Sequence, residues 1–307
     1  MRIAVMAAGA VGGYFGARLA AAGHDVVFFA RGAHRDVLKR DGLKIESVLG
    51  DLHLPKVEVS DDPATVAPVD IVLFAVKLWD TETAAQSLKP VVGPDTRVIT
   101  VQNGIDAVER IEPILGAGRV VPGLAQIATV IAAPGVVRHT SKFALIRCGH
   151  SDRHADPPLS AFVQAAQNGG IDITLSDDVD VDLWNKFVFL SALAGITATT
   201  RLPFGPLKAD PDTRAFFHDL LREVSAVGRA KAVALPADFA DKALAFADAT
   251  LPPEMKASMA HDLERGNRLE LDWLSGKVVE LGRALGVPTP AHAAVYAILK
   301  LHRMGRQ

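Results

Sequence analysis

The chain has 307 residues, 49% hydrophobic and 22% charged, with 33 basic against 35 acidic side chains for a formal charge of -2. That balance excludes a basic field that would draw a nucleic acid backbone or an anionic membrane, and leaves a small molecule as the expected partner. The single cysteine, Cys148, excludes an internal disulfide or a multi-thiolate metal site; it reads as inert, and the chain as a two-domain cytoplasmic protein held together by packing.

Residues 2–6 form a brief apolar run that reads as a β-strand, and Arg2 with Gly9, Gly12 and Gly13 interrupts the continuous apolar centre that an export signal needs. The turn after it, Ala7-Ala8-Gly9-Ala10-Val11-Gly12, is a near match to G-x-G-x-x-G. In that pattern Gly9 lets the backbone approach a pyrophosphate, Gly12 lets the helix pack on the strand, and the helix N-terminus offers N–H groups to phosphate. Ala7 stands where the pattern has its first glycine, so it needs either ordinary dihedrals there or a slightly shifted loop. Residues 10–22 read as a helix of small residues stopped by Gly23, and 26–29 as a second strand. That strand ends Phe29-Ala30-Arg31, without the acid that bonds the ribose 2′-hydroxyl of NAD. Arg31 suits a 2′-phosphate instead, so NADPH is the expected nucleotide.

Strands at 71–76, 97–101 and 120–124 continue the alternation of βαβ units around a parallel sheet. Ligands of such sheets bind beyond the carboxyl ends of the strands, which singles out Lys77 directly after residue 76 and Gln102-Asn103-Gly104 after residue 101. The stretch 120–137 carries no charge, but Pro122, Gly123, Gln126, Pro134 and Gly135 interrupt it. Two buried strands around a turn explain it, and no membrane span is expected.

From about Asp178 the pattern turns helical, giving an expected nucleotide domain at 1–177 and a mostly helical substrate or dimerisation domain at 178–307. In the largely apolar stretch 181–194, Lys186 needs an explanation, and two are open. Its stem lies on apolar surface while the ammonium reaches water, or desolvation lowers its pKa and makes it a better proton donor to a developing alkoxide. Further on, Asp210 reads as an N-cap before Pro211, with Phe216, Leu220, Val224 and Val227 on one helical face. Other helices are expected to start near Pro253, to pass through Leu274, Val278, Leu281 and Leu285, and to run from Thr289-Pro290 through Val295 and Leu299. No metal is expected, since no His-x-x-His, Glu-x-x-His or Cys-x-x-Cys occurs; His139, His261 and His292 read as structural or surface residues.

Over nearly its whole length the chain resembles the ketopantoate reductases, also called 2-dehydropantoate 2-reductases. The blocks that carry the resemblance are Met1-Arg2-Ile3-Ala4-Val5 with the glycine turn, Ala30-Arg31-Gly32, Ala75-Val76-Lys77, Gln102-Asn103-Gly104, Trp184-Asn185-Lys186-Phe187 and Leu269-Glu270-Leu271-Asp272. The resemblance implies an α/β fold, an N-terminal Rossmann-type parallel sheet with a mostly helical C-terminal domain, and NADPH-dependent reduction of a small 2-oxo acid. It implies that Lys186 is the proton donor, that Lys77, Asn103 and Glu270 contact the cofactor, and that Asn103 and Ser258 touch the substrate. The family places substrate-binding asparagines where this chain has Leu190, Ala194 and Phe204, which cannot make an amide's hydrogen bonds. A smaller or more apolar 2-oxo acid is therefore an alternative to ketopantoate. A third reading, an NADPH-binding sensor without turnover, is opposed by the joint presence of Lys186, Asn103, Ser258 and Glu270. The apolar faces of the helical domain also allow a homodimer.

Overall fold

A computed structural model of the chain describes residues 1–306, which divide into two compact units, the first Met1–Val179 and the second beginning at Asp180. The first contains β1 (Arg2–Met6), α1 (Ala10–Ala21), β2 (Asp25–Phe29), α2 (Gly32–Asp41), β3 (Leu43–Ser47), β4 (Leu52–Leu54), β5 (Glu58–Ser60), β6 (Val69–Phe74), α3 (Thr81–Leu88), β7 (Val92–Thr100), α4 (Ala107–Leu115), β8 (Val120–Ala133), β9 (Val136–Cys148), α5 (Pro157–Asn168) and β10 (Asp172–Leu175). They build a sheet in the order β4-β3-β9-β8-β7-β6-β1-β2-β5, with β10 against β9. Every pairing from β5 to β8 along that order is parallel.

A strand whose two faces are both covered has no polar side, which is why these strands read as unbroken apolar runs. Alternate side chains go to opposite layers. Ile3, Val5, Phe28, Leu73 and Ile99 join Tyr14, Phe15 and Leu19 of α1 in one core. Ala4, Met6, Phe29, Val72, Phe74 and Val98 join Ala85 and Leu88 of α3 and Ile111 and Leu115 of α4 in the other.

Two expectations for this unit need correction. Strand β6 ends at Phe74 rather than residue 76, so Lys77 lies three residues beyond the strand, at the start of a 3-10 turn over Leu78–Asp80. Beyond β6 the carbonyl of Val76 accepts from the side chain of Gln102, not from a neighbouring strand. The uncharged stretch 120–137 is a hairpin, but its burial is not continuous: residues 120–125, Gly135 and Val137 are buried, whereas residues 126–134 are exposed or half-buried. The reason is that β8 pairs with β7 only through Pro122 and beyond that point has β9 alone as its neighbour. Cys148 is buried, and desolvation pushes its thiol up to about 12, where no thiolate forms near neutral pH.

The second unit is helical: α6 (Val179–Thr200), α7 (Phe204–Ala209), α8 (Pro211–Ala230), α9 (Phe239–Thr250), α10 (Ser258–Arg265), α11 (Ser275–Leu285) and α12 (Pro290–Leu299). By length and composition α6 passes as a membrane span, yet 61% of its apolar window is buried inside the protein, as in a core helix. Asp210 caps α8, its carboxylate accepting from the Thr213 N–H at 2.8 Å with Pro211 in the first turn. The face that α8 buries runs through Phe217, Leu220, Leu221, Val224 and Val227; Phe216 is only half-buried, so the apolar stripe is centred one residue later than expected. No helix begins near Pro253. The carbonyls of Pro253 and Met255 accept from the Gly205 and Phe204 N–H groups at the start of α7, which ties 252–257 down as irregular chain, and α10 starts at Ser258. At α12 the buried Glu223 carboxylate accepts from the Ala291 and His292 N–H groups at 2.7 and 2.9 Å, the position where the helix dipole favours negative charge. His292 is buried with its Nε2 on the Leu220 carbonyl, and desolvation pushes its pKa down to about 4.

Candidate active site

In the first unit the strand register brings the expected nucleotide residues to one edge. Met6 of β1 lies opposite Phe29 of β2 and Phe74 of β6, and Phe74 lies opposite Thr100 of β7. The segments that follow these four residues carry Ala7 to Gly12, Arg31, Lys77 and Asn103. From β1 the chain goes to β2 on one side and later to β6 on the other, so this edge is a topological switch point, where open α/β sheets bind ligands.

The loop between β1 and α1 has the features that a phosphate group requires. Gly9 is the N-cap of α1 and supplies no side chain to its first-turn N–H groups, which leaves those donors for a ligand. A Cβ built on Gly9 would meet nothing within 4 Å, so the space above the loop is open on that side. At Gly12 a Cβ would collide with the Ala7 carbonyl oxygen and lie 2.9 Å from a Val5 methyl. Ala7 reaches this turn without a positive φ, although the Met6–Ala7 peptide is cis: among the described residues the non-glycine positions with positive φ are Arg153, Arg201 and Ala232. Gly12→Ala must push the Ala7 carbonyl aside, and its Kd for a nicotinamide dinucleotide is expected to rise about tenfold, with the far-UV spectrum unchanged, in a fluorescence titration.

Arg31 is the exposed N-cap of α2. Its neighbour Arg35 is held by Asp36 and Asp61, whereas Arg31 makes no ion pair among the described residues. Lys77 places its ammonium 5.5 Å from the ring centroid of Trp79, a cation–π contact that restricts the side chain.

A residue to which sequence reasoning gave no role of its own, Gln102, holds this edge together. Its buried amide donates to the Val76 carbonyl at 3.0 Å and to Thr81 Oγ1 at 2.9 Å, and its Oε1 accepts from Thr100 Oγ1 at 3.1 Å. The turn carrying Lys77 is thereby strapped to the turn carrying Asn103.

In the second unit Lys186 sits on α6 beside Trp184 and Phe187, whose rings meet edge to face at 5.5 Å. Desolvation pushes its pKa down to about 8, and the charge of Glu270 acts in the opposite sense. The residue as a whole is half-buried, and the direction of the shift is the one that burial of an ammonium among protein atoms produces. Glu270 is itself buried, next to the 3-10 turn Leu271–Trp273. Ser258 is the exposed first residue of α10, and the preceding Ala257 N–H donates to Thr197 Oγ1 of α6 at 3.3 Å. That bond fixes the start of α10 against the helix that bears Lys186. Leu190 is half-buried and Ala194 buried. Phe204 belongs to the bundle core, its ring packed edge-on against Phe217 at 5.5 Å.

The fold also gathers His150, His154 and Asp156, which no spacing motif announced. Asp156 Oδ2 accepts from Arg97 at 2.6 Å and from His150 Nε2 at 2.9 Å, and its Oδ1 caps α5 through the Leu159 N–H. With a guanidinium already on the carboxylate, the trio reads as a helix cap rather than a cation site.

Comparison with known proteins bears on both units. The family model for ketopantoate reductase PanE/ApbA matches residues 3–152, and the model for its C-terminal part matches residues 178–303. The uncharacterized oxidoreductase YkpB of Bacillus subtilis is 29% identical over 303 residues, covering 98% of this chain and 99% of that one. A 2-dehydropantoate 2-reductase of Caulobacter vibrioides is 31% identical over 299 residues, covering 97% of each. Among solved structures, a PanE/ApbA family ketopantoate reductase from Ralstonia eutropha JMP134 superposes with a TM-score of 0.88 at 35% identity, over 99% of this chain and 98% of that one.

Proposed function

Because the chain belongs to the ketopantoate reductase family, and is thus an oxidoreductase that works with a nicotinamide dinucleotide, we propose that it reduces ketopantoate to pantoate with NADPH. The observation that carries this reading is the desolvated Lys186 beside Glu270. NADPH, when bound, supplies the hydride that reaches the 2-oxo carbon. Lys186 gives its Nζ proton to the carbonyl oxygen as that oxygen gains charge, and the Glu270 carboxylate keeps the lysine protonated at neutral pH in spite of its burial. Asn103 and Ser258 hold the polar atoms of the oxo acid. The Ala7 to Gly12 loop, Lys77, Asn103 and Glu270 hold the cofactor, with Arg31 on its 2′-phosphate. The product feeds pantothenate and coenzyme A synthesis in the cytoplasm.

A proton donor with a pKa of about 8 is spent above that pH, so kcat is expected to fall about tenfold per unit on the alkaline side. Glu270 raises the lysine pKa, and Glu270→Gln is therefore expected to move that limb to lower pH. Profiles of kcat against pH for the two proteins check both statements.

The substrate is tested by comparing kcat/KM for ketopantoate with values for smaller and more apolar 2-oxo acids, following NADPH oxidation. A preference for ketopantoate supports the proposal. Leu190 and Ala194 favour one other reading, reduction of a more apolar 2-oxo acid, and a higher kcat/KM for such a compound would select it. Tight NADPH binding with no turnover of any member of the panel would refute both.

A further inference from the structure

His34 on α2 bridges two backbones that are remote from it in sequence. Its Nε2 lies 2.8 Å from the carbonyl oxygen of Ala8, and the Gly135 N–H points to its Nδ1 at 3.1 Å. A backbone N–H only donates, so Nδ1 is the acceptor; the ring proton is on Nε2 and is donated to Ala8. Both bonds together require a neutral ring, and desolvation holds the pKa of His34 below its ordinary value.

The far end of this bridge is rigid. Gly135 has φ +75°, its carbonyl accepts from the Lys44 N–H at 2.9 Å, and the place of its missing Cβ lies 2.6 Å from a Val37 methyl of α2. The near end is the loop at the switch point. The Ala8 N–H already donates to the Phe29 carbonyl at 2.8 Å, and His34 takes the carbonyl of the same residue. That carbonyl shares a planar trans peptide with the Gly9 N–H, so fixing one direction fixes the other. Gly9 borders the open space above the loop, and its N–H makes no hydrogen bond among the described residues.

We propose that His34 is a positioning residue for the phosphate-binding loop: by donating to Ala8 it holds the Ala8–Gly9 peptide with its N–H turned toward the pyrophosphate of the cofactor. The inference rests on the reading of this loop as the NADPH site. Its experiment therefore includes a readout that needs no cofactor.

Two conservative variants separate the two bonds of the ring. The amide nitrogen of His34→Gln stands where Nε2 stood and keeps the donation to Ala8. The amide of His34→Asn reaches only the Nδ1 position and keeps Gly135 alone. The NADPH Kd is expected to rise about three- to tenfold in His34→Ala and His34→Asn, and to stay within about twofold in His34→Gln, with kcat at saturating NADPH unchanged in all three. In the ligand-free protein, exchange of the Ala8 and Gly13 amides is expected to quicken in the Ala and Asn variants and not in the Gln variant. Equal effects of Asn and Gln, or loop exchange unaltered in both, would overturn the inference. Should the wild type fail to bind NADPH, the cofactor reading fails, while the exchange pattern still decides the role of His34. The Asn and Gln pair also decides it if His34→Ala does not fold.

Discussion

Lys186→Ala is expected to lower kcat about a hundred- to ten-thousand-fold while leaving the NADPH Kd within about twofold, the range typical of a lost general acid. Reduction of a carbonyl places negative charge on oxygen, and a donor with a pKa of about 8 transfers its proton to that oxygen more readily than an ordinary lysine with a pKa of 10.5. Desolvation supplies the lowering, and Glu270 prevents it from going so far that the proton is gone at neutral pH. Lys186→Arg separates charge from acidity. The guanidinium keeps the positive charge but does not part with a proton in this range, so this variant is expected to remain nearly as impaired as the alanine. Full activity in Lys186→Arg would assign the residue to charge stabilisation; full activity in Lys186→Ala would remove it from the chemistry.

Arg31→Ala is expected to weaken NADPH binding about ten- to a hundredfold and to leave NADH nearly unaffected, so the ratio of kcat/KM values for the two cofactors falls by the same factor. Arg31 stands at the N-cap of α2, two residues beyond β2, where a carboxylate would bond a ribose hydroxyl in an NAD-binding unit. Its guanidinium has no acidic partner among the described residues, while Arg35 one turn on is neutralised by Asp36 and Asp61. Of these two cations, only Arg31 has its full charge to offer a 2′-phosphate. An unchanged cofactor ratio in Arg31→Ala would contradict that assignment.

The β1-α1-β2 unit was legible in the sequence because its signals are local: an apolar run, glycines at fixed offsets, a glycine stop and a second run ending at Arg31. The helical character of the second half was legible for the same reason, through the spacing of Leu220, Val224 and Val227 and the Asp210-Pro211 start. What stayed hidden depends on tertiary partners. The apolar run 71–76 gives no sign that the strand stops at Phe74, or that Val76 bonds instead to a side-chain amide 26 positions away. His34 bonds to groups 26 and 101 positions distant, and neither separation leaves a periodic trace. Lys186 showed two equal readings in the sequence because desolvation is a property of its neighbours, and the nearness of Glu270, far along the chain, leaves no local trace. The uncharged stretch 120–137 looked buried throughout because composition cannot tell where β8 parts from β7.

In the proposed reaction, hydride from NADPH arrives at the 2-oxo carbon of ketopantoate. The most direct measurement supplies NADPH deuterated at both positions of its nicotinamide C4 and determines the mass of the product. Pantoate one mass unit heavier than that formed with ordinary NADPH, with the label on C2, is the expected product. Pantoate without the label, or no pantoate from an enzyme that binds NADPH, would contradict the proposed reaction.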